Sequence, residues 1–142
     1  MKTTPTLLLL VLSCFLLSST CKKDDPSCTR LKLNNNTDKP VYVLISYDYP
    51  DTSLNFQSPF ANYYNNFIGA YSTGGVRDAY NFECADKYFE YYPNNKVSFF
   101  VFDAKVVDTT PWITVRQNYQ VLKRFDVGKN DIINNNYTLS LP

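Results

Sequence analysis

The chain has 142 residues, 14 basic against 13 acidic side chains, no histidine and four cysteines. A charge this close to balance excludes proteins that grip a polyanion through a basic excess, so nucleic acid is not an expected partner. The missing imidazole excludes Ser–His, Cys–His and His–metal schemes.

The N-terminus reads first as an address. Lys2 precedes an apolar run over 7–17, and Ser18-Ser19-Thr20-Cys21 leads at once into Lys22-Lys23-Asp24-Asp25. A basic start, an apolar stretch and a small-residue cleavage site make a secretory signal. The run is shorter than the ~20 apolar residues a membrane span needs. A cysteine at the first position after cleavage makes it a bacterial lipoprotein signal. Residues 1–20 are therefore expected to be removed and Cys21 to carry palmitate-type acyl chains. Cys14 competes, because Val11-Leu12-Ser13-Cys14 fits a lipobox better on its letters. It would, however, leave a short apolar region and a mature start of Phe15-Leu16-Leu17. Cys21 gives a charged, soluble start, although Ser18 and Thr20 depart from the usual lipobox. Each buried CH₂ contributes about 0.8 kcal/mol and stable anchoring takes more than one chain, which a multiply acylated cysteine would supply.

Cys21-Lys22-Lys23-Asp24-Asp25-Pro26 resembles the start of many Bacteroidetes lipoproteins, in which Lys followed by two acids is similar to a signal for export to the cell surface. The resemblance implies an outer-membrane, surface-exposed location. The same letters also read as a solvated tether over 21–28, since they hold too little apolar surface to fold.

Without residues 1–20 about 122 residues remain, enough for one domain over 29–142. Only Lys2 is charged in the removed part, so the mature chain balances at zero. Eleven of the acids are Asp against Glu83 and Glu90, and Asn is abundant, a bias toward turns over helices. With Cys14 removed and Cys21 acylated, Cys28 and Cys84 are left in an oxidising compartment. They either pair or stay as two buried thiols. A bond would close a loop of about 57 residues and stabilise the fold by roughly 4 kcal/mol in the chain-entropy model.

Arg30-Leu31-Lys32-Leu33 alternates as a half-buried strand, 34–40 is a turn cluster, and 41–47 alternates again, so the two strands are expected to form a hairpin. Residues 49–75 show no clean period and read as a long excursion with a helical turn near 59–65. Strands are expected at 76–82 and 87–92. The run 96–102 is apolar on both parities and belongs in the centre of a sheet. Thr110 and Pro111 read as the cap and first residue of a short helix over 111–118. A strand at 120–126, a helical turn at 131–134 and a strand at 137–141 complete the chain. About seven strands separated by turns make a mainly β domain, a single antiparallel β-sandwich with one short helix.

Thr110-Pro111-Trp112 followed by Val121-Leu122-Lys123-Arg124 resembles uncharacterised lipoproteins of gut Bacteroidetes, and the stretch 49–56 is similar too. The resemblance covers about half of the mature chain and implies a fold without implying an activity.

Chemistry is sparse. Paired acids would suit glycoside hydrolysis, and Asp48 with Asp51, or Glu83, Asp86 and Glu90, lie close in sequence. Asp at strand ends and turns explains them as well. No ligand spacing calls for a metal, no glycine loop cradles phosphate, and no cofactor is expected. The stronger lead is the aromatic and amide bias at 47–71. Tyr47, Tyr49, Asp51, Asn62, Tyr63 and Tyr64 are the candidate ligand-binding residues, because Tyr offers rigid amphipathic area and amides offer adaptable hydrogen bonds. The same aromatics also fit an outer layer of core, and Trp112 fits a helix anchor. Asp108-Thr109-Thr110 resembles a Bacteroidetes O-glycosylation sequence, with Thr109 as the acceptor. The expected protein is a non-catalytic, lipid-anchored outer-membrane module. It would bind a glycan or another surface ligand, or serve as an accessory subunit of an outer-membrane protein complex.

Overall fold

The computed structural model describes residues 28–55, 66–77, 84, 85, 89 and 96–142. The signal, Cys21 and the expected helical turn at 59–65 lie outside the described residues. In chain order the elements are β1 (Lys32–Asn35), β2 (Val41–Ser46), β3 (Phe67–Ile68), β4 (Ser72–Gly75) and β5 (Lys96–Asp103). There follow α1 (Ala104–Thr109), α2 (Trp112–Gln117), β6 (Lys123–Gly128), α3 (Lys129–Asn134) and β7 (Thr138–Leu141). The protein is mainly β, with these seven strands in two sheets ordered β4-β1-β7 and β3-β2-β5-β6.

The apolar run at 96–102 does become an internal strand. Every residue from Val97 to Phe102 is buried, including Ser98. The reason is layering on both sides. Val97, Phe99 and Val101 face inward and join Val41, Val43, Leu31, Leu33, Leu139 and Leu141 in a core shared by the two sheets. Phe100 and Phe102 face outward, where Leu54, Ala104, Val107 and Val115 cover them. Helices α1 and α2 thus form a third layer on the outer face. Trp112 anchors α2 there, edge-on to Phe102 at 5.4 Å between ring centroids.

Several expectations change. β1 and β2 do not form a hairpin, since they belong to different sheets. Instead β1 pairs with β4 and β2 with β3, both antiparallel, so 32–46 and 67–75 act as two long strands that bend together from one sheet into the other. Asn35, fully buried at the bend, holds it. Its amide donates to the carbonyls of Lys39 and Gly69 at 2.8 and 2.9 Å, and its Oδ1 accepts from the Thr37 backbone and hydroxyl. A turn-forming sequence at 34–40 cannot by itself distinguish a bend between sheets from a hairpin.

The excursion over 49–75 therefore contributes two strands. β4 escapes sequence reading because Ser72-Thr73-Gly74-Gly75 carries no apolar residue; Gly74 is needed because a Cβ there would meet Ile68 Cγ1 at 2.8 Å. Val76 and Arg77 lie past the strand, and 78–82 is outside the described residues. Phe89, the one described residue of the strand expected at 87–92, is helical and buried. Helix α1 fills 104–109, where no helix was expected. Asp103 caps it by accepting from the Lys105 N–H at 2.9 Å. Thr110 consequently closes α1, and the cap of α2 is Pro111. β6 starts three residues later than expected, and α3 is a longer version of the turn at 131–134. Among the described residues one ladder departs from the antiparallel pattern, since β1 and β7 pair parallel.

The Cys28–Cys84 disulfide is present, with Cα atoms 4.8 Å apart. Thr29 and Ala85 share a backbone hydrogen bond beside it at 2.8 Å. No described helix is long and apolar enough to cross a membrane.

Candidate functional site

A row of polar side chains crosses the outer face of the four-stranded sheet, where alternation would otherwise place apolar ones. Ser46 on β2 lies opposite Ser98 on β5, and Ser98 opposite Asp126 on β6. Ser98 sits in the most buried strand of the molecule, and a hydroxyl there must be hydrogen-bonded. It donates to Asp126 Oδ1 at 2.6 Å and accepts from Arg124 Nη2 at 3.2 Å.

Arg124 joins the row to the segment after β2. Its Nε donates to Asp126 Oδ1 at 2.7 Å, its Nη1 donates to the Asp51 carbonyl, and its guanidinium lies 5.1 Å from the Phe100 ring centroid. Burial alone would lower the Arg124 pKa, but Asp126 and Tyr119 outweigh it and hold the cation more firmly. The planar fork lets one side chain serve three partners, which a Lys ammonium could not match in geometry.

Asp51 is the other anchor of this region. It is 6 % exposed. Its Oδ2 accepts from Ser46 Oγ at 2.7 Å, and its Oδ1 accepts from Ser53 N, Ser53 Oγ and Leu54 N. Burial pushes its pKa up, yet these donors outweigh burial and hold the carboxylate below the ordinary value. The turn they enforce leaves Leu54 at φ 50°, a left-handed conformation unfavourable for Leu, and inserts its side chain fully into the outer core.

Of the candidate ligand residues, the described ones, Tyr47, Tyr49 and Asp51, do not gather into one surface. Tyr47 is half-buried against the inner core. Tyr49, also half-buried, lies under Lys96 Nζ at 5.4 Å from its ring centroid and is followed by a cis peptide to Pro50. Asp51 faces the sheet. Asn62, Tyr63 and Tyr64 lie outside the described residues, as do Glu83, Asp86 and Glu90. Asp48 is exposed, away from the buried role of Asp51. Two other aromatics of the same stretch are exposed: Phe67 at 52 % and Tyr71 at 74 %. They flank the bend at Gly69. Phe67 rests edge-on against Tyr42, whose hydroxyl donates to Asp108 at 3.1 Å. Thr109 is exposed at the end of α1, with its hydroxyl donating to the Lys105 carbonyl at 2.7 Å.

Ser46, Ser98 and Asp126 were not singled out by sequence reasoning, and Arg124 entered only within the marker Val121-Leu122-Lys123-Arg124. The available signal was Ser98, a lone hydroxyl within an otherwise apolar central strand, which requires polar partners on the neighbouring strands. Chemically, the row suits bracing. Asp51 has four donors, which stabilise its charged form, and Asp126 holds a guanidinium. Among the described residues, no group of three His, Cys, Asp or Glu side chains is placed to hold a metal ion. No protein-family model, curated protein or solved structure matches the chain.

Proposed function

We propose that this chain is a non-catalytic, lipid-anchored binding module of the cell envelope, tethered to the outer membrane through Cys21 and facing outward. The anchor reading rests on the apolar run at 7–17, the small residues before Cys21 and the charged tether after it. A disulfide between Cys28 and Cys84 fits an exported, oxidising environment. The ligand reading rests chiefly on one observation: Phe67 and Tyr71 stand exposed on either side of a bend that Asn35 holds rigid. Exposed aromatics on a fixed scaffold suit stacking against a sugar ring or another flat surface ligand.

A glycan array tests the ligand. Selective binding that Tyr71→Ala and Phe67→Ala weaken, and that Tyr63→Ala and Tyr64→Ala weaken further, is the expected result. Silence on the array removes the glycan. The anchor is tested separately by fractionation, where Cys21→Ala should move the protein from the membrane to the soluble fraction.

The accessory-subunit reading draws on a different surface. Ile113, Tyr119 and Leu122 are exposed along α2 and the segment after it, at 55, 43 and 44 %. Co-purification with an outer-membrane protein that Ile113→Asp disrupts would favour it.

A further inference from the structure

Among the described residues one ladder is parallel, and it joins the first described strand to the last. β1 and β7 pair in register from Lys32 opposite Thr138 to Asn35 opposite Leu141. The Lys32 N–H donates to the Tyr137 carbonyl at 2.9 Å, and the Asn36 N–H donates to the Leu141 carbonyl at 3.0 Å, one bond at each end of the ladder. Because the strands run the same way, a pull on the N-terminal side of β1 and a pull on the C-terminal side of β7 oppose each other along the strand axis. Evenly spaced parallel bonds then bear the load together and do not open one after another.

We infer that β1 and β7 form a shear-loaded mechanical clamp through which the domain withstands tension arriving from its N-terminal tether. β1 is also the central strand of its sheet. Sliding it breaks the antiparallel ladder to β4 as well, which the Val76 N–H extends by donating to the Leu31 carbonyl at 2.9 Å. Leu31 and Leu33, both fully buried, would have to leave the shared core in the same movement. The point of load is itself fastened. Cys28, four residues before β1, is bonded to Cys84, and that bond encloses β1 to β4 in a loop of sequence separation 56. Tension is thus divided between the clamp and the disulfide. The use of such a clamp in the cell rests on the anchored reading above, whereas its existence is a property of the folded chain.

Single-molecule pulling on the full chain tests it through direction. In the first geometry, peptide handles sit at the two termini and load the pair in shear. In the second, one handle is inserted at the exposed bend residue Asp38 and the other stays at the C-terminus, so both strands are drawn from the same end and unzip. A handle after Tyr71 gives the same geometry should the Asp38 insertion disturb the bend. The shear geometry is expected to need at least about twice the unfolding force of the unzipping geometry, since its bonds fail together. Reduction of the disulfide should lengthen the released chain by about 190 Å in the shear geometry, the reach of the freed loop. Equal forces in the two geometries overturn the clamp. Failure of Cys21→Ala to release the protein from membranes would instead overturn the anchor and leave the force result standing.

Discussion

The inner face of the four-stranded sheet buries Val41, Val43, Val97, Phe99 and Val101 against the second sheet, while its outer face sets Phe100 and Phe102 beside Ser46, Ser98, Arg124 and Asp126. The inner face is closed to solvent, the outer face stays partly open at Arg124 and Asp126, and the two are held differently. On the inner face the stabilising term is apolar area and close packing, which is non-directional and tolerates swaps that conserve volume. On the outer face each polar group depends on a particular partner, so removing one leaves another unsatisfied. The inner face makes the domain stable. The outer face fixes where the segment after β2 lies, because Asp51 and Arg124 tie it to the sheet.

The sharpest break in that comparison comes from Phe99. It is fully buried in the inner core, and Phe99→Ala should cost about 3–5 kcal/mol through lost transfer energy and the cavity left behind. The urea midpoint should fall with the slope unchanged. Phe99→Leu should recover most of the loss. On the outer face, Asp51→Ala removes the acceptor for Ser46, Ser53 and the Leu54 N–H at once, at a cost of about 2–3 kcal/mol. Here no apolar replacement should rescue. Asp51→Leu performing as well as Asp51→Asn would show that the outer face is held by area after all.

The same contrast explains what was legible in the sequence. Apolar patterning reads well, so the centrality of β5 followed from the apolar run at 96–102, and β2 and the final strand from the letters at 41–47 and 137–141. Cys28 and Cys84 were singled out as a pair by the expected fate of Cys14 and Cys21, with two buried thiols as the alternative, and the structure shows the bond. Features that depend on partners distant in sequence did not follow from the letters. The bend at Asn35 is written in turn-forming residues that serve a hairpin equally well. β4 carries no apolar letter because its neighbour Ile68 fills the space above Gly74. Helix α1 contains Val106 and Val107, whose branched side chains favour strands, and its one local signal is the cap at Asp103. The polar row is distributed over β2, β5 and β6, with only Ser98 conspicuous in its own strand. Of the candidate ligand residues, Asp51 was noticed for its charge, which turns out to serve the fold.

Asp51→Asn keeps the shape of that turn and removes the charge, so about 1–2 kcal/mol should be lost, the difference between charged and neutral acceptors. The pH dependence separates it from the Ala variant. The folded pKa of Asp51 lies below its ordinary 3.8. Its contribution is therefore complete above that value and is lost as pH falls through the lower, folded one. Denaturant melts between pH 2 and 6 should show wild type losing stability more steeply than Asp51→Asn below about pH 4, with the two curves parallel above it. Parallel curves throughout would mean the charge is not what the donors around Asp51 hold.

The smallest effect is expected where neither face is involved. Lys39 pairs with Asp103 at 3.4 Å across the bend, with the Lys side chain 56 % exposed. A solvated pair of this kind contributes about 0–1 kcal/mol and is screened by salt. Asp103 is also the cap of α1, a role independent of Lys39. Lys39→Ala should accordingly shift the urea midpoint by an amount near the error of measurement, and the shift should vanish in high salt. Asp103→Ala should cost about 1 kcal/mol, the usual worth of a helix cap, in low and high salt alike. If the two substitutions cost the same and fade together with salt, the ion pair holds the bend, and the distinction between paired charges on the surface and partnered groups on the sheet fails at this position.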